Sequence, residues 1–264
     1  YKVIGNNISI LDDLINGNIS ESKILKEAKN PAIIIGESVL KPEVSLSVTN
    51  SVKALLKNIN KLDGFNILHQ SASSVGNLIL GLQSNEIEKI YSSEVLYLLN
   101  VDEIDSKKLK NKFVIYQGTH GGESSQIADV VLPGAAYSEK NGSFVNLEGR
   151  VQKSFKASYP PGFAKEDWEI FLEISNHKNI NLGFDSFESL RELMLKEHSR
   201  LGNYDQLPET DLDTIKIDRH VKKDFKVDID LIDYYQSNII ARASTTMSEC
   251  KNSKTINKKT GTEN

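Results

Sequence analysis

Ala32-Ile33-Ile34-Ile35-Gly36 is a wholly apolar run closed by a glycine, and the residues after it decide the fold. Val44, Val48, Val52, Leu55, Leu56 and Ile59 recur at three- and four-residue steps, which places them on one face of a helix of about four turns. Phe65-Asn66-Ile67-Leu68 is a second short apolar run. Strand, helix and strand in this order predict a parallel βαβ unit, and a first strand apolar at every position predicts burial on both faces.

The pattern extends in both directions. Val95 to Leu99 and Phe113 to Tyr116 read as further strands, with helices or turns at Val75 to Leu82 and Asp105 to Leu109. Upstream, Ile10, Leu11, Leu14 and Ile15 predict a short amphipathic helix ended near Gly17, and Ile24, Leu25 and Ala28 another stopped before Pro31. Residues 1–127 therefore read as the Rossmann-like part of an α/β protein, a parallel sheet with flanking helices. From Ala128 the texture changes to turns and short β segments. Val130-Val131-Leu132 ends at Pro133-Gly134, and Asn141-Gly142 predicts a tight turn whose central residues take positive φ, with Arg150 anchoring the hairpin to a nearby carboxylate or carbonyl. Glu148-Gly149-Arg150 reads as a second turn. Helical stripes follow at Glu166 to Ile174 and Phe187 to Met194, so residues 128–200 are expected to be a turn-rich segment and helices of the same domain. Residues 201–250 predict an extended segment with a closing helix at Ile239 to Met247, and 251–264 a disordered tail.

Composition narrows the function classes. The 264 residues are 39% hydrophobic and carry a net charge of −4, enough apolar material for a core and too little positive charge for diffuse nucleic-acid binding. A single cysteine, Cys250, excludes an internal disulfide, a cysteine-rich zinc site and an iron–sulfur cluster held by four cysteines of this chain. The longest apolar runs are too short to cross a bilayer, which predicts a soluble, intracellular protein without direct membrane insertion. The chain opens at Tyr1 with neither an initiator Met nor a basic, apolar leader, as expected of a processed or partial product.

No stretch makes a catalytic constellation on spacing alone. Gly118-Thr119-His120-Gly121-Gly122-Glu123-Ser124-Ser125 could serve a hydrolase using His120 and Ser124 with an oxyanion loop, yet no nucleophile elbow and no Gly-Lys-Ser/Thr phosphate loop accompanies it. A strand-to-loop crossover using glycines is the plainer reading. The five histidines, His69, His120, His177, His198 and His220, are never three or four residues apart, so none forms a helical metal pair. Asp211-Leu212-Asp213 lacks the glycine and glutamate of a calcium loop. Glu139 and Glu148 could be imagined as an acid/base pair, but solvated or ion-paired carboxylates are the simpler case. Catalytic, cofactor-binding and metal sites are thus all expected to be absent.

One long stretch carries a resemblance. Ala128-Asp129-Val130-Val131-Leu132-Pro133, Glu139-Lys140-Asn141-Gly142 and Asn146-Leu147-Glu148-Gly149-Arg150 resemble a pattern shared across the molybdopterin oxidoreductase superfamily, and the preceding Val114-Ile115-Tyr116-Gln117-Gly118-Thr119-His120-Gly121, with its Gln117-Gly118 and His120-Gly121 loop, resembles one branch of it. Pro160-Pro161-Gly162 with Glu166-Asp167-Trp168, and Ile240-Ala241-Arg242-Ala243-Ser244 with Thr246-Met247 and Cys250, are similar to the branch formed by the large iron–sulfur subunit of respiratory complex I, NADH:ubiquinone oxidoreductase. The likeness runs from about Lys26 to Cys250 and covers only the later part of that subunit's molybdopterin-like domain.

The resemblance implies a non-catalytic structural part of the hydrophilic arm of complex I, which transfers electrons from NADH to ubiquinone. The alternative is a cofactor-binding fragment of an active molybdopterin oxidoreductase, with residues 128–150 enclosing a pterin. It further implies that this chain binds no cofactor, and that the iron–sulfur clusters lie on a partner chain or a missing N-terminal half. The implied partners are other subunits of the arm, including the cysteine-rich one, and no nucleic acid. The implied location is the matrix side of the mitochondrial inner membrane, or the cytoplasmic face of a bacterial one.

Overall fold

The computed structural model describes residues 1–40, 44–61, 64–82, 87–101, 104–209 and 233–256. Most of the acidic segment expected to be extended, and the last eight residues of the tail, lie outside this set. The chain forms two compact units, the first drawing its described residues from 1–78, 145–150 and 205–209, the second from 79–144, 151–204 and 233–256.

In the first unit, α1 (Ser9–Asn16) ends at Gly17 and is followed by α2 (Glu21–Glu27). β1 (Ile33–Gly36), α3 (Ser45–Asn58) and β2 (Phe65–Leu68) then make the expected βαβ unit. β1 and β2 pair in parallel, with Ile33 opposite Phe65, Ile34 opposite Asn66, Ile35 opposite Ile67 and Gly36 opposite Leu68. Alternation along each strand sends Ile33, Ile35, Phe65 and Ile67 to one face. There Ile35 joins Val48, Val52 and Leu56 of α3 in a core that also takes Leu11 of α1. Burial of β1 on both faces is not observed: Ile35 is 5% exposed, but Ile34 beside it is 67% exposed. An apolar run reports the side chains available, not the presence of a second layer to cover them.

In the second unit, β3 (Val95–Leu99), β4 (Phe113–Gly118) and β5 (Val130–Pro133) form a parallel sheet with β4 in the centre. Leu96, Leu98, Leu109, Val114 and Tyr116 are its buried core, with Tyr91, Ile127 and Ile239 packed against them. β4 runs two residues past its apolar stretch because Gln117 and Gly118 pair with Leu132 and Pro133 of β5. Asp129 sets this pairing: its carboxylate accepts from the Val114 N–H at 2.7 Å while its own N–H donates to the Val114 carbonyl at 2.8 Å. α4 (Ser74–Ile79) links the two units in sequence. α5 (Ile87–Ser92), α6 (Glu123–Ile127), α7 (Asp167–His177) and α8 (Phe187–Glu197) complete the helices before residue 200.

Two local expectations need correction. Neither Asn141 nor Gly142 has positive φ, since Gly142 already belongs to strand β6 (Gly142–Val145). The reversal between β6 and β7 (Val151–Ser154) falls at residues 146–150, where Gly149 has φ +82°. The Asn146 Oδ1 accepts there from the N–H groups of Glu148 and Arg150, both at 3.0 Å, and this side-chain turn fixes the hairpin. The closing helix is two helices, α9 (Ile239–Ala243) and α10 (Thr245–Ile256). Ser244 between them has extended ψ, and its Oγ accepts from the Met247 N–H at 3.3 Å, so it ends one helix and starts the next. α10 thereby carries regular structure six residues into the stretch expected to be disordered. Among the described residues no helix is long and apolar enough to cross a membrane.

Candidate functional site

In an open parallel α/β sheet, ligands bind outside the carboxyl ends of the strands, so the ends of β3, β4 and β5 are where a site belongs. Gln117, the penultimate residue of β4, is fully buried there, at 0% exposure. Its amide is engaged at both atoms. The Tyr97 hydroxyl of β3 donates to Oε1, and Nε2 donates to Asp167 Oδ1 at the start of α7, at 2.7 Å. The second Asp167 oxygen pairs with the Lys140 ammonium. The Tyr97 ring stacks on Phe171, one turn into α7, with centroids 5.3 Å apart. Burial, and then the negative charge of Asp167, push the Tyr97 phenol above its ordinary range, which keeps it a neutral donor.

The neighbouring polar groups are closed in the same way. Glu139 Oε2 accepts from the Ala136 N–H at 2.9 Å, and Asn141 Oδ1 accepts from the Lys156 N–H at 3.0 Å. Glu166 accepts from the Trp168 indole at 3.1 Å and lies 3.6 Å from the Lys156 ammonium. Pro133-Gly134-Ala135 threads between two segments: the Gly134 N–H donates to the Gly118 carbonyl at 2.9 Å, and the Ala135 N–H to the Lys165 carbonyl at 2.7 Å. A Cβ on Gly134 would come within 3.1 Å of Asp167 Oδ1. A pterin at these strand ends would need donors and acceptors free to face it, and Gln117, Asp167, Lys140, Glu139 and Asn141 are engaged within the chain instead.

The glycine loop is a crossover. The Tyr116 ring covers Gly118 so closely that a Cβ there would collide with the phenol oxygen, and the Tyr116 hydroxyl donates to the His120 carbonyl at 3.1 Å. The His120 ring contacts Thr119 Oγ1 at 2.9 Å, while Ser124 is 0% exposed and its hydroxyl has no partner. No hydrogen bond among the described residues joins His120 to Ser124, so the fold does not bring the two together as nucleophile and base. Glu148 lies 3.9 Å from Arg150, whose guanidinium donates to the Asp205 carbonyl. In the first unit, His69 lies 3.4 Å from Glu37, which also accepts from the Gln70 N–H at 2.5 Å. Cys250 is a half-buried free thiol, and among the described residues no three His, Cys, Asp or Glu side chains are grouped as metal ligands. The Gln117 network was the part missed by spacing arguments. A glutamine ending an otherwise apolar strand was its one local signal.

A parallel α/β fold whose strand-end motifs are Ala-Asp-Val-Val-Leu-Pro, Glu-Lys-Asn-Gly and Asn-x-Glu-Gly-Arg defines the class. The profile of the molybdopterin oxidoreductase family matches residues 1–177, and the chain belongs to that family. Its branch is that of the large subunit of complex I: a second profile, describing the C-terminal part of the G subunit of NADH-ubiquinone oxidoreductase, matches residues 212–250. The chain is 36% identical over 260 residues to the G subunit of the NADH-quinone oxidoreductase of Rickettsia felis, covering 96% of this chain and 38% of that protein. It is 39% identical over 259 residues to the NADH-ubiquinone oxidoreductase 75 kDa subunit of Reclinomonas americana, covering 94% and 38%. To the mitochondrial NADH-ubiquinone oxidoreductase 78 kDa subunit of Candida albicans it is 34% identical over 262 residues, covering 94% and 36%. The chain thus spans less than two fifths of the length of these relatives.

Proposed function

We propose that this chain is a non-catalytic, structural part of the hydrophilic arm of respiratory complex I, on the matrix side of the mitochondrial inner membrane or its bacterial counterpart. The chain binds no cofactor. Electrons from NADH pass through iron–sulfur clusters held by the cysteine-rich part of the subunit, and this part supplies the arm with shape and contact surface. The observation supporting the reading is the closed network Tyr97–Gln117–Asp167–Lys140, which fills the strand ends with mutual hydrogen bonds. Polar clusters linked in this way rigidify a fold and favour one packing.

The test is metal analysis of the purified NADH-oxidising assembly, combined with Lys140→Met and Asp167→Asn variants. Iron without stoichiometric molybdenum or tungsten is expected, and the variants should lower the amount of assembled complex while turnover per complex stays unchanged. Molybdenum or tungsten at one atom per complex would reinstate the fragment of a working molybdopterin enzyme. A loss of turnover at normal assembly would also overturn the structural reading.

A further inference from the structure

In the second unit, Lys153 of β7 and Arg191 of α8 converge on one aromatic ring. The Lys153 ammonium lies 4.2 Å from the centroid of the Tyr204 ring, and the Arg191 guanidinium carbon lies 5.0 Å from it. Arg191 Nε also donates to the Tyr204 hydroxyl at 3.1 Å. Backbone contacts place Tyr204. It follows the short helical turn Ser199–Gly202, its N–H donates to the Gly202 carbonyl at 3.0 Å, and it forms a parallel bridge with Val151, at the start of the strand that carries Lys153. The cluster holds donors without an acceptor. Because the Tyr204 oxygen accepts from Arg191, its own hydrogen is left to donate outward. Among the described residues that hydrogen, the Arg191 Nη groups and the Lys153 ammonium meet no carboxylate or carbonyl, although Glu188 and Glu192 stand on the same helix as Arg191. Attraction to the ring offsets part of the repulsion between the two cations but leaves their N–H groups unused.

We infer that Lys153, Arg191 and Tyr204 form an oxyanion site that takes a phosphate group, as the free ion or as the phosphate of a small monoester. Charge and donor chemistry select this ligand. Two cations without a neighbouring acid match a dianion, and a set made of donors alone is complementary to a group made of acceptors alone. The planar guanidinium offers its free edge to phosphate oxygens, while the ammonium and the phenol supply donors to the others. The three side chains come from a strand, a helix and the segment after a helical turn, so the site is assembled by the fold and is invisible to sequence spacing. It does not depend on the role proposed for the chain in complex I.

The experiment measures how fast Lys153 is acylated by a succinimidyl ester in the native assembly that holds this chain, read by mass spectrometry. Inorganic phosphate or AMP replaces chloride at fixed ionic strength, and the exposed Lys110 and Lys178 serve as internal controls. Phosphate should slow Lys153 saturably, by about fivefold or more, with both controls unchanged. Slowing by AMP as well assigns a phosphate monoester, and slowing by phosphate alone assigns the free ion; either outcome supports the site. Arg191→Met should raise the half-saturating phosphate concentration about tenfold or more. Tyr204→Phe keeps the ring and its cation contacts but removes the outward hydroxyl, and should raise that concentration about threefold or more. A cluster that only staples strand to helix would show no phosphate dependence in the parent and no effect of Tyr204→Phe. Lys153 unreactive or equally reactive at every phosphate concentration overturns the proposal. So does equal slowing of the control lysines or by adenosine. Unchanged phosphate affinity in Tyr204→Phe overturns it even if Arg191→Met fails to assemble.

Discussion

Gln117 and Asp167 stand fifty positions apart in sequence, yet the amide of one donates to the carboxylate of the other at 2.7 Å. This bond ties the end of the central strand β4 to the first turn of α7. Tyr97 brings β3 into the same junction, and Lys140 brings in the loop after β5. Two strands, the loop after β5 and one helix start are tied together by four side chains.

Gln117→Leu should therefore be strongly destabilising although the volume is nearly kept. It would leave the Tyr97 hydroxyl without its acceptor and Asp167 without one of its two partners, at a cost of about 2–4 kcal/mol. Gln117→Glu should cost at least as much, because it sets a second carboxylate against Asp167 in a buried site. Hydrogen exchange of the peptide amides of β3 and β4 measures both. Protection equal to that of the parent chain would show that the network contributes nothing.

The Tyr97 phenol predicts a specific alkaline sensitivity. Its folded-state value is raised above the ordinary 10.0, first by burial and then by Asp167. The folded state therefore holds the proton more tightly than the unfolded state. The stability this contributes is fully present below pH 10 and is lost as the pH rises through the raised value. Tyr97→Phe should be somewhat less stable near neutrality, since Gln117 Oε1 loses a donor, and its stability should fall less steeply above pH 10. Parallel thermal unfolding of parent and variant across that range decides it. Equal slopes would remove Tyr97 as the source.

Gly149 and Gly142 should respond in opposite ways to the same change. Gly149 has φ +82°, and a Cβ there would approach Pro208 Cγ to 2.8 Å, so Gly149→Val combines backbone strain with a clash. A loss of about 2 kcal/mol or more is expected. Gly142 lies in a strand with ordinary φ, and a Cβ would meet only Phe144 at 3.4 Å, so Gly142→Val should be tolerated within about 0.5 kcal/mol. Urea unfolding of the two variants separates them. A greater loss from Gly142→Val would return the tight turn to residues 141–142.

What the sequence made legible was the local part. β2 and β3 have the expected bounds because a short apolar run between turn residues is a complete local description of a strand. The Arg150 anchor was legible in kind, an acceptor oxygen, but not in place, since the acceptor is the carbonyl of Asp205, fifty-five positions on. The Asn141-Gly142 dipeptide misled because its local preference for a hairpin turn lost to strand pairing, while the Asn146 side chain formed the reversal further along. The Gln117 network was illegible for a related reason. Its members are separated by 20, 27 and 50 positions, and only the packed sheet brings them together. The exposed face of β1 was hidden by the opposite error, because three consecutive isoleucines suggest two covering layers, and among the described residues only one face is covered.

Ser124 offers the last test, one that separates a structural crossover from a hydrolase loop. Its hydroxyl is fully buried and unpartnered, which is unfavourable by about 1–3 kcal/mol relative to a satisfied group. Ser124→Ala removes that orphaned oxygen at little loss of packing volume. The variant should be as stable as the parent or up to about 1 kcal/mol more stable, with assembly and electron transfer unchanged. A nucleophile would behave differently, losing esterase turnover outright while stability stayed level. Thermal unfolding and an activated-ester assay on parent and variant distinguish the two. Ester hydrolysis present in the parent and abolished by Ser124→Ala would show that the buried hydroxyl reaches a substrate, and the crossover reading of the glycine loop would fail.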